Sequence, residues 1–157
     1  MKENPARMIP ERIIQNIRTI DNVILFTHIH PDGDALGSLF GLADILEALG
    51  KNVFCYLEEP VSHLYAFMPD NGKAHTRLEE YRSFVAAAGE NVMGIALDCG
   101  DDDRLGKSKQ EFLKISPFVV IDHHQSHKDF GTVRWVEPDC SSTGEMVYEL
   151  ALALDAQ

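Results

Sequence analysis

The sequence predicts an α/β fold, with a mainly parallel, doubly wound sheet flanked by helices. Short runs rich in β-branched residues alternate along the chain with longer segments of helical periodicity. The chain has 157 residues, and 45% of them are apolar, which suffices for a hydrophobic core. We therefore expect residues 1–157 to form a single domain.

The first half of the chain predicts two helices and two strands. Isoleucines recur at helical spacing over residues 9–20, where Pro10 can start a helix. Leucines and other apolar residues form one face over residues 35–49, and Gly50 is typical of a helix C-terminus. The strands are NVILFT at residues 22–27 and NVFCYL at residues 52–57. Residues 61–75 carry no clear pattern.

The second half continues the alternation. Helices are predicted at residues 76–88, within residues 103–115 and from Ser142 onward. Strands are predicted at residues 92–97, 118–121 and, as a short edge strand, 133–136. The last helix begins with the spacing of a capping box, since Ser142 stands at the N-cap and Glu145 three residues later.

Charge and cysteine usage restrict the partners and the compartment. Acidic residues outnumber basic ones by 25 to 14, and a net charge of −11 argues against non-specific binding of long duplexes. No apolar run approaches the roughly 20 residues that span a bilayer, and the N-terminus MKENPARMIPER lacks the apolar block of a signal peptide. The three scattered cysteines are typical of reduced thiols, so we expect a cytoplasmic protein that does not bind membranes.

Acidic and histidine residues directly follow three of the predicted strands. These stretches are THIHPDGD at residues 27–34, LDCG at residues 97–100 and IDHH at residues 121–124. Counted from Asp34 to Asp98 and from Asp98 to Asp122, they lie 64 and 24 residues apart. Open α/β sheets bind ligands at the carboxyl ends of their strands, so we expect the three stretches to meet in space.

Each stretch allows a metal site and a plainer interpretation. Asp32 and Asp34 can face one side of a loop, and with His28 they suit Mn²⁺, Co²⁺ or Fe²⁺ better than Mg²⁺ or Ca²⁺. The run PDGD is equally ordinary turn chemistry. Asp98 could bridge two cations or cap a turn. The triplet at residues 122–124 is costly to bury without a metal or phosphate, and an exposed loop is its alternative.

Other catalytic signatures are absent from the sequence. It contains no nucleophile elbow, no P-loop and no dinucleotide fingerprint, and no Cys/His pair completes a zinc site around His28 and His30. We expect His127 to be a loop residue. The acidic run at residues 101–103 is expected to be a solvated loop with a helix cap.

Taken in order, the three stretches resemble the DHH phosphoesterase superfamily. HIHPDGDALGS is similar to its first motif, LDCG to its second, and IDHH to the triplet that names it. The later stretch EPDCSSTGEMVYEL resembles the SST-x-E helix start of the oligoribonuclease (nanoRNase and pAp-phosphatase) branch. The order and spacing match from about residue 10 to the end.

The resemblance implies a site of two divalent cations, with Mn²⁺ favoured and Co²⁺, Fe²⁺ or Mg²⁺ as alternatives. One ion would be held by His28, Asp32 and Asp98, and the other by Asp34, Asp98 and His123. His124 would contact the scissile phosphate, and Asp122 would orient a ligand histidine. The implied reaction is in-line attack on phosphorus by a metal-bound hydroxide.

The sequence departs from the family pattern in two places. His30 replaces the usual asparagine and could be a spare ligand, a substrate contact or neither. A TDTG-like fourth motif and the C-terminal substrate-binding domain are missing, which predicts a fragment whose exposed sheet could associate into a homo-oligomer.

The implied substrates are short RNA oligonucleotides or small nucleotide phosphates. Inorganic pyrophosphatase, cyclic-dinucleotide phosphodiesterase and single-strand DNA exonuclease are alternatives within the family. A non-catalytic metal- or nucleotide-binding module is the alternative outside catalysis.

Overall fold

A computed structural model describes residues 8–69 and 72–155. These residues form a parallel sheet with helices on both faces. The strands are β1 (Asn22–Thr27), β2 (Asn52–Tyr56), β3 (Ala74–His75), β4 (Val92–Leu97), β5 (Phe118–Asp122) and β6 (Val133–Val136). The helices are α1 (Glu11–Thr19), α2 (Gly33–Ala48), α3 (Leu78–Ala88), α4 (Lys109–Phe112) and α5 (Thr143–Asp155). The predicted α/β class is confirmed.

The sheet has the strand order β3-β2-β1-β4-β5-β6, and every neighbouring pair is parallel. The chain builds β2 and β3 on one side of β1 and then crosses over to build β4, β5 and β6 on the other. The winding direction therefore reverses between β1 and β4. In open α/β sheets this reversal opens a crevice at the carboxyl ends of the strands.

Alternating side chains of each strand enter two separate cores. Val23 and Leu25 of β1 pack in the core beneath α1, α2 and α5, whereas Ile24 and Phe26 join an aromatic core beneath α3 and α4. The two buried faces explain why the strands read as continuous apolar runs rather than as alternating patterns. No helix in the described part of the chain is long and apolar enough to cross a membrane. Residues 1–7, which belong to the N-terminus where the sequence predicts no signal peptide, lie outside the described residues.

Three predicted elements differ from the structure for local reasons. The helix expected from residue 35 begins at Gly33, because the Asp32 carboxylate caps it by accepting from the Ala35 amide at 3.0 Å. The helix expected within residues 103–115 is a 3₁₀ turn at Asp102–Leu105 followed by α4, with Gly106 at a φ of 99° between them. The helix expected at residues 76–88 begins at Leu78, and β3 was not predicted.

Gly131 is a position where the backbone requires glycine. Its φ is 82°, and a Cβ there would lie 2.9 Å from the Phe118 carbonyl oxygen and 2.9 Å from Val120 Cγ2. We expect Gly131→Ala to lower the free energy of unfolding by about 1–3 kcal/mol, through backbone strain and overpacking. Chemical denaturation with urea measures the change.

Gly37 provides the matched control for this substitution. It lies within α2, is exposed and would place a Cβ in open space. Gly37→Ala is expected to raise stability by about 0.5–1 kcal/mol, since alanine is the better helix former. Equal changes in the free energy of unfolding for the two substitutions would contradict the conclusion that the backbone requires glycine at position 131.

Candidate metal centre

The crevice between β1 and β4 contains most of the predicted site residues. His28 directly follows β1, and Asp98 directly follows β4; both side chains are buried. His123 and His124 follow β5, the next strand of the sheet. The parallel order thus brings together three stretches that are distant in sequence, as predicted.

The Asp98 carboxylate lies between two groups of potential ligands. Its Oδ2 is 3.5 Å from His28 Nε2, and its Oδ1 is 3.6 Å from His123 Nε2. Donor atoms of His28, Asp32 and Asp98 lie within 4.8 Å of one another, as do donor atoms of Asp98, His123 and His124. One carboxylate therefore offers one oxygen to each group.

The spacing and chemistry of these donors fit divalent cations. Distances of 3.5–3.6 Å are too long for good hydrogen bonds. Two ligands at about 2.0–2.2 Å from a common ion, and 90–110° apart, would be separated by about 2.8–3.6 Å. Mixed imidazole and carboxylate donors suit borderline ions such as Mn²⁺.

The surroundings of His28 favour metal binding through Nε2. Its Nδ1 lies 2.7 Å from the Ile29 carbonyl oxygen, so an N–H on Nδ1 donates there and leaves the Nε2 lone pair for a cation. Burial of the ring lowers the pKa of His28. The Asp98 carboxylate and the Ile29 carbonyl raise this pKa by more than burial lowers it, so the net pKa is raised. A bound metal ion would have to displace this proton.

The N-terminus of α5 holds two of the carboxylates. The backbone amides of Thr143 and Gly144 donate to Asp34 Oδ2 and Oδ1 at 3.0 and 2.9 Å. The Thr143 hydroxyl donates to Asp98 Oδ1 at 3.0 Å. Asp34 Oδ2 in turn lies 3.5 Å from His123 Nε2. The free N–H groups of a helix N-terminus stabilise such anions and orient them.

Thr143 is expected to tune metal affinity without binding the metal itself. Thr143→Val removes the hydroxyl that orients Asp98, and we expect the affinity for Mn²⁺ to fall by about 10–100-fold, as for other residues that orient ligands. Thr143→Ser keeps the hydroxyl and should retain most of the affinity. Calorimetric titration of the two variants tests this, and equal losses in both would show that the hydroxyl is not involved.

Asp122 is fully buried and connects two histidines. Its Oδ1 lies 2.6 Å from His124 Nδ1, and its Oδ2 lies 2.8 Å from His127 Nδ1. The resemblance implied that Asp122 orients a ligand histidine, and the recorded partners are His124 and His127. His127 lies in a loop as expected, yet its side chain is buried and its Nδ1 is committed to Asp122.

Two predicted residues occupy more peripheral positions. Asp32 Oδ1 lies 3.9 Å from His28 Nε2, and the same oxygen caps α2. The turn and metal interpretations of this residue are therefore compatible. The His30 side chain is 74% exposed and lies 3.8 Å from Glu59, outside both groups of donor atoms. Asp101 caps the 3₁₀ turn by accepting from the Asp103 amide at 3.0 Å, as the predicted helix cap requires.

The fold and the site define an open α/β protein with carboxylates and histidines gathered at its topological switch point. The sequence profile of the DHH family, N-terminal domain, matches residues 22–157. The chain therefore belongs to the DHH family, as the motif resemblance indicated.

Individual relatives agree with this membership. The chain is 30% identical over 144 residues to the bifunctional oligoribonuclease and PAP phosphatase NrnA of Bacillus subtilis (strain 168), with 89% of this chain and 41% of the relative covered. It is 27% identical to the cyclic-di-AMP phosphodiesterase PdeA of Listeria monocytogenes, with 92% of this chain and 23% of the relative covered. The chain thus spans less than half the length of either relative.

A solved structure confirms the fold. The exopolyphosphatase-related protein from Bacteroides fragilis superimposes with a TM-score of 0.80 at 24% identity. The match covers 92% of this chain and 43% of that protein.

Proposed function

We propose that this chain is the metal-binding domain of a phosphoesterase. It would hydrolyse phosphodiester or phosphomonoester bonds of short oligoribonucleotides or small nucleotide phosphates. The observation that carries the proposal is the single Asp98 carboxylate, which offers one oxygen to each of two groups of donors. Membership of the DHH family, and a relative named as an oligoribonuclease and PAP phosphatase, support the same activity.

Two ions would share Asp98 in this proposal. His28 and Asp32 would complete the ligands of the first ion, and Asp34 and His123 those of the second. His124 also approaches Asp98, at 3.8 Å, but its Nδ1 is committed to Asp122, which favours Asp34 as the ligand. Two divalent ions would supply Lewis acidity at phosphorus and lower the pKa of attacking water.

The remaining residues would bind and orient the phosphate. The His124 Nδ1–H donates to Asp122, and in the doubly protonated ring the Nε2–H can donate to a phosphate oxygen of the substrate. Asp122 is held on its other side by His127, so the carboxylate cannot rotate away from His124. The crevice thereby combines fixed carboxylates for cations with a fixed imidazole for an anion.

A substrate panel tests the proposal directly. The whole chain is incubated with Mn²⁺ and with di- to pentaribonucleotides, a nucleoside bisphosphate, pyrophosphate or a cyclic dinucleotide. We expect hydrolysis of the linear nucleotides that requires the metal and ceases with a chelator. Metal binding without turnover of any member of the panel would contradict the proposal and favour a non-catalytic module.

The proposed function includes the cellular compartment, which concerns the state of the cysteines. All three cysteines are buried in the structure, and the pKa of the Cys99 thiol is raised to about 12 by burial. Such thiols are slow to oxidise. We propose action in the reducing cytoplasm on the scattered cysteine pattern of the sequence, which is typical of reduced thiols.

A further inference from the structure

A polar cavity adjoins the candidate metal centre and has no role in the function described so far. Its volume is about 300 Å³, and it is lined by Gly100, Asp101, Arg104, His124, Ser126 and Lys128. His124 borders both the cavity and Asp98. Arg104 Nη2 lies 3.1 Å from His28 Nδ1. The cavity therefore lies beside both groups of potential metal ligands.

The charges around this cavity favour an anion. Arg104 and Lys128 are two cations on its wall, in a chain whose net charge is −11. The carboxylate of Asp101 accepts from Lys128 Nζ at 2.6 Å. The Lys128 side chain is 69% exposed, and exposed ion pairs contribute little to stability. A phosphate that enters the cavity can therefore take over the Lys128 ammonium group.

The wall of the cavity carries several hydrogen-bond donors that suit phosphate oxygens. Arg104 Nη2 donates to the Ile29 carbonyl oxygen at 3.4 Å, and within residues 8–69 and 72–155 no hydrogen bond uses Nε or Nη1, so these N–H groups can donate to phosphate oxygens. Ser126 adds a neutral hydroxyl donor to the same wall. Gly100 leaves room at the base, since a Cβ there would lie 3.3 Å from Asp122 Oδ2 and 3.5 Å from His124 Cβ.

We propose that this cavity is a subsite for a second phosphate group, one linkage away from the phosphate that is cleaved; the inference rests on the proposed function. Arg104, Ser126 and Lys128 bind the second phosphate, while His124 contacts the first. The subsite selects nucleotides that carry at least two phosphate groups over those that carry one.

Dinucleotides that differ by one phosphate test the subsite. Diuridylate without a terminal phosphate is compared with its 5′-phosphorylated and 3′-phosphorylated forms, using the whole chain with Mn²⁺. We expect the kcat/KM of one phosphorylated form to exceed that of unphosphorylated diuridylate by about tenfold. A ratio of this size corresponds to the contribution of one charge-assisted hydrogen bond. Lys128→Gln combined with Ser126→Ala should reduce this preference to about one, whereas Lys128→Arg should retain it.

The control is Lys107→Gln, which removes the same charge at an exposed residue outside this cavity and should leave the preference unchanged. If the chain hydrolyses none of the dinucleotides, the same ratio is measured from Kd by calorimetry. A preference that depends on Lys128 then supports the subsite even though the phosphoesterase proposal fails. Equal use or equal binding of all three dinucleotides by the unsubstituted chain would overturn the subsite, as would a preference that survives the double substitution.

Discussion

Asp98→Asn is expected to abolish both metal binding and metal-dependent hydrolysis. The substitution removes the negative charge from the Asp98 carboxylate, which faces both His28 and His123, so both proposed ions lose a ligand together. We expect the rate of hydrolysis to fall by at least about 10³-fold, the size of loss seen when an essential catalytic residue is removed. The Mn²⁺-induced rise in Tm should disappear as well, because a ligand stabilises a protein only in proportion to its binding.

The asparagine substitution separates chemistry from folding. Asp98 has a φ of 59°, a backbone conformation that asparagine tolerates and alanine does not. The Thr143 hydroxyl can still donate to the amide oxygen of the new side chain. The variant should therefore fold, with a Tm in metal-free buffer close to that of the unsubstituted chain.

Stoichiometry distinguishes the shared ligand from the others. Calorimetry should detect two Mn²⁺ sites in the unsubstituted chain, one in Asp34→Asn and none in Asp98→Asn. Asp129→Asn removes a carboxylate that is exposed and lies outside both groups of donors, so it serves as the control. A full Mn²⁺-dependent rise in Tm in the Asp98 variant would refute the shared-carboxylate arrangement.

The sequence predicts that the three motifs lie close together, because this proximity depends only on the parallel arrangement of the strands that they follow. The run that forms β4 has no polar side chain, β1 is apolar from Val23 to Phe26, and polar residues follow both strands; the predicted bounds at residues 22–27 and 92–97 are confirmed. Once the strands are parallel, their carboxyl ends must share one edge of the sheet. The positions of His28, Asp98 and His123 follow from that edge alone.

Other features depend on contacts that no local pattern encodes. The amide of Thr143 binds a carboxylate 109 residues earlier in the chain, although the sequence predicts only that a helix begins there. His127 occupies a polar loop segment, and its burial arises from Asp122 and the stacked Phe130 ring at 5.6 Å. The strand β3 pairs with β2 at only two positions, too few to leave a periodic signal.

The largest loss of stability is expected from Phe26→Ala. Phe26 is buried in β1 at the centre of the aromatic core beneath α3 and α4. Its ring centroid lies 4.7 Å from that of Phe112 and 5.7 Å from that of Phe118, and the rings of Tyr56 and Tyr81 complete the contacts. Removing the ring leaves a cavity that close-packed neighbours fill poorly, which costs about 3–5 kcal/mol of unfolding free energy.

Denaturation with urea and thermal melting measure this loss. At about 2–4 °C per kcal/mol for a domain of this size, Tm should fall by about 10 °C. If Phe26→Ala does not fold, Phe26→Leu supplies the milder variant, with an expected loss of about 1–2 kcal/mol. Phe67→Ala is the control, because Phe67 is 78% exposed and its truncation should change stability by no more than about 0.5 kcal/mol.

The same variant shows whether the core and the metal centre act separately. The Phe26 side chain lies in the core beneath α3 and α4, whereas the Asp98 carboxylate binds the N-terminus of α5 on the opposite face of the sheet. Phe26→Ala should therefore lower Tm and yet keep the rise in Tm that Mn²⁺ produces, the reverse of the pattern expected for Asp98→Asn. Loss of the Mn²⁺ response in a folded Phe26 variant would mean that the end of β1 depends on this core to hold His28 in place.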